Sequence, residues 1–534
     1  MNSPALRLLL VAVLASLLLI PGQATLPVTD RDEARFVQAS RQMLQSGDFI
    51  DIRFHDDTRY KKPVGIYWAQ SAAAALSGQG AEAPLWVFRL PSLMGIVAAA
   101  VLTAWLGSAL VGAGPAAFAG LLVAASIVPG VEARLATTDA ALLAATLLMQ
   151  SVLARLWMGV PLRWRAWIFW LGMAAAILLK GPIGPMVVAL TAATASLIRR
   201  DTAWLRPLLR LWPVLLAVAV TLPWFIAITI ISDGAFWGAS VGQDMLAKAA
   251  SAQEGKGAPP GSYVLAMWAT FWPGAVLVAL TLPAVWAARR RPEIQFLAAW
   301  ALPGWLVFEA FPTKLVHYTM PMLPALALAA CGLWMSPAPV RRWAQAVGTL
   351  LLLIGPALLL AFQIWSRRQG ADPSNFLLIP VAVTGGIAFV ALWQERRVAF
   401  LAALIAMGGS VTSGLVLSLA ATPSLWPSAL ALTEARRVSP CKTPRLIGWG
   451  YREPSLVWLG GRETLLLDGD APLPDRLDRC DVVIRSDGGS APLPFDLHET
   501  ATLEGYAIGA GRQVRLHVYI ARNSDEHMVQ TVTD

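Results

Sequence analysis

The chain has 534 residues, 56% of them hydrophobic and only 14% charged, against roughly 45–50% and about 25% in an ordinary soluble domain. A larger core cannot absorb that surplus, so a soluble globular protein is excluded and a polytopic α-helical membrane protein remains. The net charge of +9 is concentrated in short Arg clusters between apolar runs, where it sets topology, so no nucleic-acid partner is expected.

A bilayer core needs roughly 20 apolar residues per helix. Hydropathy predicts about thirteen such helices, near 5–22, 86–111, 115–131, 139–158, 166–181, 182–198, 211–231, 263–288, 294–311, 317–335, 343–364, 376–393 and 398–420. With alternating helices, the connections holding Arg163/Arg165, Arg199/Arg200, Arg289/Arg290/Arg291, Arg341/Arg342 and Arg396/Arg397 fall on one side, which the positive-inside rule makes cytoplasmic. The other side then holds the outer loop 23–85, the loop 132–138, a second large loop 232–262, the Pro312–Tyr318 connection and everything after residue 420. The first apolar stretch also reads as a cleavable signal peptide, and either reading puts residue 23 onward outside the cytoplasm.

Residues 1–420 are therefore expected to form a transmembrane domain and 421–534 a small soluble domain. In the latter, short apolar runs at 445–449, 455–459, 464–467, 482–485 and 513–520 alternate with Gly, Pro and Asp turns, which predicts an α/β or β-rich unit without a catalytic constellation. Cys441 and Cys480 both lie there, where an oxidising compartment permits one disulfide between them.

The outer face collects the chemistry. In Asp30-Arg31-Asp32-Glu33-Ala34-Arg35, Asp30 and Glu33 have the spacing of a capping box, which places Asp32 in a first helical turn. The helix dipole and Arg35 favour its ionised form there, suited to take a proton from an acceptor, although a solvated cap fits the same residues. Gly47 ends that helix, and Lys61-Lys62-Pro63 precedes an aromatic amphipathic segment whose lysines serve equally as interfacial anchors or as phosphate ligands. Asp139 starts a span where a carboxylate is costly to desolvate and must face protein or water, a helix cap being the competing reading. Lys180 stops another span at Gly181-Pro182, and Lys314, His317 and Tyr318 lie at a further outer edge. Carboxylates and cations from distant loops thus meet one membrane face, as a reaction between a membrane-embedded phospholipid and an acceptor requires: a base for the acceptor and cations for a departing phosphate.

The order Asp32-Glu33-Ala34-Arg35-Phe36, Ser46-Gly47-Asp48, Lys62-Pro63, Thr138-Asp139-Ala140, Lys180-Gly181, and Lys314 with Tyr318 and Pro321 resembles the bacterial branch of the dolichyl-phosphate-mannose protein mannosyltransferase family, including the lipid A aminoarabinose transferases. The segment Gly450-Tyr451-Arg452-Glu453-Pro454-Ser455 is similar to their periplasmic domain. The resemblance implies a C-type glycosyltransferase fold in a bacterial inner membrane, with its site and tail in the periplasm. It also implies an inverting transfer of a sugar from a polyprenyl-phosphate donor to a lipid, glycan or protein acceptor. Asp32 is then the general base and Asp139 a second acid of the site. Lys62, Lys180, Lys314 and Tyr318, with Arg35 and Lys61 nearby, hold the donor phosphate, and Glu33, His317, Glu254 and Lys256 are loop or acceptor candidates. A transporter or flippase of a lipid-linked sugar is the alternative, but it calls for ionisable residues or broken helices near the midplane, often in paired halves, which the sequence does not show.

The chain departs from those members of that family that resemble metal-dependent enzymes in carrying residues able to contribute to a zinc site. Lys61 precedes Lys62-Pro63 where they have Glu, and Gln253-Glu254-Gly255-Lys256 precedes Pro259-Pro260-Gly261 where they have His. Protonated lysine has no lone pair for a cation, so no metal and no other cofactor is expected.

Overall fold

The computed structural model describes residues 3–247, 251, 257–336, 340–488, 492–494, 497–509 and 511–521. Up to Ala420 it is a bundle of helices whose bounds follow the apolar runs closely, among them Pro4–Leu19, Leu85–Leu110, Asp139–Trp157, Arg165–Lys180, Ile183–Arg199, Leu211–Ile231 and Arg397–Ala420. Among the described residues six helices are long and apolar enough to cross a membrane, or seven if one bent pair counts as a single span. Several other expected spans are apolar helices of 10–17 residues, such as Pro4–Leu19 and Met320–Trp334.

Two expected spans are broken. The run 115–131 divides at Ser126 into Ala113–Ala125 and Ile127–Glu132, and the free backbone N–H of Ile127 donates to Trp272 O at 3.0 Å. The run 263–288 bends by 119° between Ser262–Thr270 and Gly274–Ala287. Pro273, which lacks an N–H, lies in that break.

Burial separates the interior of the bundle from its rim. The apolar window of Asp139–Trp157 is 72% buried and that of Leu211–Ile231 only 17%, so the first helix is central and the second presents Leu215, Leu222, Ile226 and Ile230 outward, an apolar face suited to lipid. Two glycines let helices of the bundle approach closely. A Cβ on Gly95 would meet the carbonyl carbon of Ala140 at 2.6 Å, and one on Gly65 would meet Leu178 O at 2.7 Å. The first contact seats the start of Asp139–Trp157 against Leu85–Leu110. The second brings the helix that follows Lys62 against the helix that ends at Lys180.

The segment 23–85 folds into helices Asp32–Ser46 and Gly65–Leu76, and Gly47 ends the former with φ 73°. The helix start corrects the expected capping box. Arg31 holds the cap position, and Glu33 Oε2 accepts from Thr29 N at 2.8 Å and Thr29 Oγ1 at 3.1 Å. Asp30 instead turns to the tail domain, where it accepts from Ser455 Oγ. Burial and the neighbouring Glu453 carboxylate push its pKa up to about 6.

The tail carries a five-stranded mixed sheet, with strands Leu465–Leu467, Arg445–Trp449, Asp481–Ser486, Arg512–Ala521 and Leu497–Ala507 in spatial order. The first three are parallel, and the last two join antiparallel. Helices Pro427–Val438 and Pro454–Gly460 pack on it, so the run 455–459 is a helix and the strand Leu497–Ala507 is one the turn pattern did not mark. Cys441 and Cys480 are joined by a disulfide, with Cα atoms 5.5 Å apart.

Candidate active site

The start of helix Asp32–Ser46 is held by a buried ion pair. Arg89 donates from Nε to Glu33 Oε1 at 2.8 Å and from Nη2 to Oε2 at 3.0 Å, with both side chains 0% exposed. Arg89 also donates to the carbonyls of Gln23, Leu26 and Pro27, and Ala136 N donates to Glu33 Oε1 at 2.9 Å. Glu33 thus fastens its own helix to the loop leading into Thr137-Thr138-Asp139. It fixes the loop geometry from the protein interior and does not face an acceptor.

Asp32 points the other way. Its side chain is 67% exposed, faces a polar pocket of about 80 Å³, and lies 3.7 Å from Nη2 of the buried Arg59. The same pocket is bordered by Lys61, Lys62, Glu132, Asp139, Lys180, Asp244, His317 and Tyr318. Beside it lies a larger cavity of about 450 Å³ that shares most of those charged groups and is walled by Leu142, Ile177, Ile183, Phe225, Phe236, Trp237, Met245 and Phe308. Charged groups therefore line one end and apolar groups the other.

Within the pocket the cations are matched by carboxylates from other loops. Lys180 Nζ donates to Asp139 Oδ1 at 2.6 Å and sits 5.7 Å from the Tyr318 ring centre. Lys62 is paired with the buried Asp244, carried on the π-helical segment Gly238–Leu246 that also forms part of the apolar wall. His317 Nδ1 lies 3.3 Å from Glu132 Oε1 and its Nε2 3.8 Å from Asp139 Oδ2. Thr137 Oγ1 donates to Glu132 Oε2 at 2.8 Å, fixing the carboxylate from its other side.

The structure brings together Asp32, Lys61, Lys62, Asp139, Lys180, His317 and Tyr318. It leaves out Lys314, whose Nζ donates to the carbonyls of Phe308, Glu309 and Phe311 at 3.0, 2.6 and 2.6 Å. All three ammonium protons are engaged at the C-terminal end of Pro292–Ala310, so Lys314 caps that helix instead of meeting phosphate. Arg35 is directed to the tail domain, where its charge and those of Arg31 and Arg512 oppose the burial that pushes the Glu453 carboxyl up. Glu254 and Lys256 lie outside the described residues. Glu132, Arg59 and Asp244 also line the polar pocket, and the sequence did not single them out as site candidates. Among the described residues no group of three or more His, Cys, Asp and Glu side chains is arranged to hold a metal ion.

No family model matches the chain. It is 28% identical over 398 residues to the undecaprenyl phosphate-α-4-amino-4-deoxy-L-arabinose arabinosyl transferase of Pseudomonas paraeruginosa, covering 70% of this chain and 69% of the relative. The enzyme of that name from Edwardsiella ictaluri is 26% identical over 423 residues, covering 75% and 74%. Among solved structures, ArnT of Cupriavidus metallidurans bound to undecaprenyl phosphate superposes with a TM-score of 0.73 at 17% identity, covering 96% of this chain and 98% of that one. Its apo state gives 0.70 at 18% identity, covering 96% and 97%. The resemblance read from the sequence is borne out: the chain is a relative of the undecaprenyl phosphate-aminoarabinose arabinosyl transferases and has the C-type glycosyltransferase fold of ArnT.

Proposed function

We propose that the chain is an inverting glycosyltransferase that moves a sugar from a polyprenyl-phosphate donor to an extracytoplasmic acceptor, whether lipid A, another glycolipid, a glycan or a protein. The observation that carries this reading is the pair of adjoining cavities with shared charged walls. An apolar chamber of about 450 Å³ suits a prenyl chain, and the cations at its polar end stand where the attached phosphate would arrive. The names of the relatives, and the undecaprenyl phosphate bound in the ArnT structure, support the same donor class.

The reaction is a single displacement. Asp32 takes the proton of the acceptor, the acceptor's lone pair attacks the anomeric carbon, and the bonding pair to the phosphate oxygen leaves with polyprenyl phosphate. Lys62, Lys180, Lys61 and Tyr318 face the departing phosphate, with Asp139 holding Lys180 in place. The Lys62–Asp244 pair gives Lys62 a counter-ion until phosphate takes its place. Transport of a lipid-linked sugar is the weaker reading, because carboxylates and cations from distant loops line one pocket together with an exposed carboxylate.

The finer topology belongs to the same proposal: thirteen passes in a bacterial inner membrane, with the pocket and tail in the periplasm. The Cys441–Cys480 disulfide supports that side, since such bonds persist in oxidising compartments. A reporter fused after residue 430 is expected to be active only when exported, and a cytoplasmic signal would detach the tail from the active face.

The enzyme is proposed to need no metal, with Lys61 supplying positive charge directly near the donor phosphate. The direct test is transfer by purified protein from undecaprenyl phosphate-linked aminoarabinose to lipid A, before and after exhaustive chelation. Transfer is expected to survive chelation. Activity lost on chelation and restored by zinc would refute the metal-independent reading, and absence of transfer across a panel of prenyl-phosphate sugars and acceptors would refute the function.

A further inference from the structure

His317 differs from the other cations of the site in having carboxylates on both ring nitrogens. Glu132 lies 3.3 Å from Nδ1 and Asp139 3.8 Å from Nε2, and the side chain is 19% exposed. Lys180 approaches through Asp139, and the Tyr318 ring centre is 5.3 Å from the imidazole. Asp32, Arg59, Lys61, Lys62 and Asp244 face the same polar pocket. Burial and Lys180 work against a charged imidazole, and the two carboxylates outweigh them, so the pKa of this loop residue is raised. His317 also borders the larger apolar cavity. It therefore faces both the polar pocket and the cavity beside it.

A sugar-linked prenyl phosphate is a diester with one negative charge. When the bond to the anomeric carbon breaks, the product is a phosphate monoester whose second ionisation lies near pH 6, so the leaving oxygen gains basicity as it departs. Lysines, with ordinary pKa values of about 10.4, stabilise that charge but part with a proton reluctantly. An imidazolium is matched to the transfer.

On the glycosyl-transfer reading given above, we propose that His317 is the acid that protonates the departing phosphate, with Glu132 and Asp139 holding the ring charged and oriented. The acceptor proton passes to Asp32, its lone pair forms the new bond to the anomeric carbon, the broken bond's pair goes to the phosphate oxygen, and that oxygen takes the Nε2 proton. Asp32 is left protonated and His317 neutral. One proton returned from Asp32 through the solvent of the polar pocket restores both, so the acceptor's proton ends, in sum, on polyprenyl phosphate.

The test uses the purified full-length chain with undecaprenyl phosphate-linked aminoarabinose as donor and lipid A as acceptor. Wild-type kcat is expected to fall on the alkaline side as the imidazolium is lost. His317→Gln should lower kcat roughly 10²-fold or more, remove that alkaline limb, and change donor KM by no more than about threefold. His317→Arg keeps a positive charge but gives up no proton, and it should stay as slow as the Gln variant. An alkaline limb that persists in the Gln variant, or wild-type turnover in the Arg variant, overturns the proposal. If the Gln variant does not fold, the Arg variant and the wild-type profile decide. Wild-type protein that folds yet transfers nothing from this donor or other prenyl-phosphate sugars is a different outcome, which removes the glycosyl-transfer reading and this proposal with it.

Discussion

Asp32→Asn is expected to reduce sugar transfer roughly 10²–10⁴-fold, the range that a positioned general base contributes. The amide keeps the size of the side chain and cannot accept the proton. Because Asp32 is 67% exposed, the substitution should leave the fold and the membrane insertion unchanged. It also sits away from the apolar wall of the donor cavity, so the donor should bind nearly as well as before. The expected signature is a loss in kcat with little change in donor KM, which marks an interaction made only in the transition state. Wild-type transfer by this variant would remove Asp32 from the mechanism. A loss confined to KM would make it a binding residue.

The sequence marks both Asp32 and Asp139. Each is a carboxylate in the first turn of a helix, Asp32 marked by the Asp30–Glu33 spacing around it and Asp139 by its place at the start of an apolar span, where desolvation leaves only protein or water to face. Lys180 is visible because Gly181-Pro182 stops an apolar span beside it, and Lys62 because Pro63 fixes the chain just before an aromatic amphipathic segment. What the chain order conceals is pairing. Lys62 and Asp244 are 182 residues apart, and nothing in the segment around Asp244 identifies its partner. Lys314 looks like another site cation until the C-terminal carbonyls of Pro292–Ala310 are placed three to six residues before it. A cation just beyond a helix end is a capping signal, and it was available in the sequence. The tail helix Pro454–Gly460 was also legible, since Pro at a first helical position favours a helix start. The apolar content of the run outweighed that cue. Neighbouring acids on a helix diverge by about 100°, so Asp32 and Glu33 were bound to face different surroundings, yet only the fold shows that Glu33 is the buried one.

That divergence sets the second large effect, at a residue that does not line the pocket. Arg89→Leu is expected to destabilise the protein by about 3–5 kcal/mol, because it leaves Glu33 as an uncompensated charge in a fully buried site. It also strips a donor from the carbonyls of Gln23, Leu26 and Pro27, each of which then lacks a partner at a cost of about 1–3 kcal/mol if water cannot reach it. Glu33→Leu should be comparably harmful, since the amides of Thr29 and Ala136 lose their acceptor as well. The double replacement should cost clearly less than the sum of the two, because it removes the stranded charge that each single change creates. Its remaining cost comes from the backbone groups, so it should not reach wild-type stability. Transfer should fall in all three variants. Glu33 is adjacent to Asp32 and bonded to the loop before Asp139, and loosening either end misplaces the acids relative to the donor phosphate. Thermal melting of the purified variants in detergent, paired with transfer rates at a temperature where each remains folded, separates the two effects. An Arg89→Leu protein that melts with wild type and transfers at the wild-type rate would show that this ion pair does not organise the site.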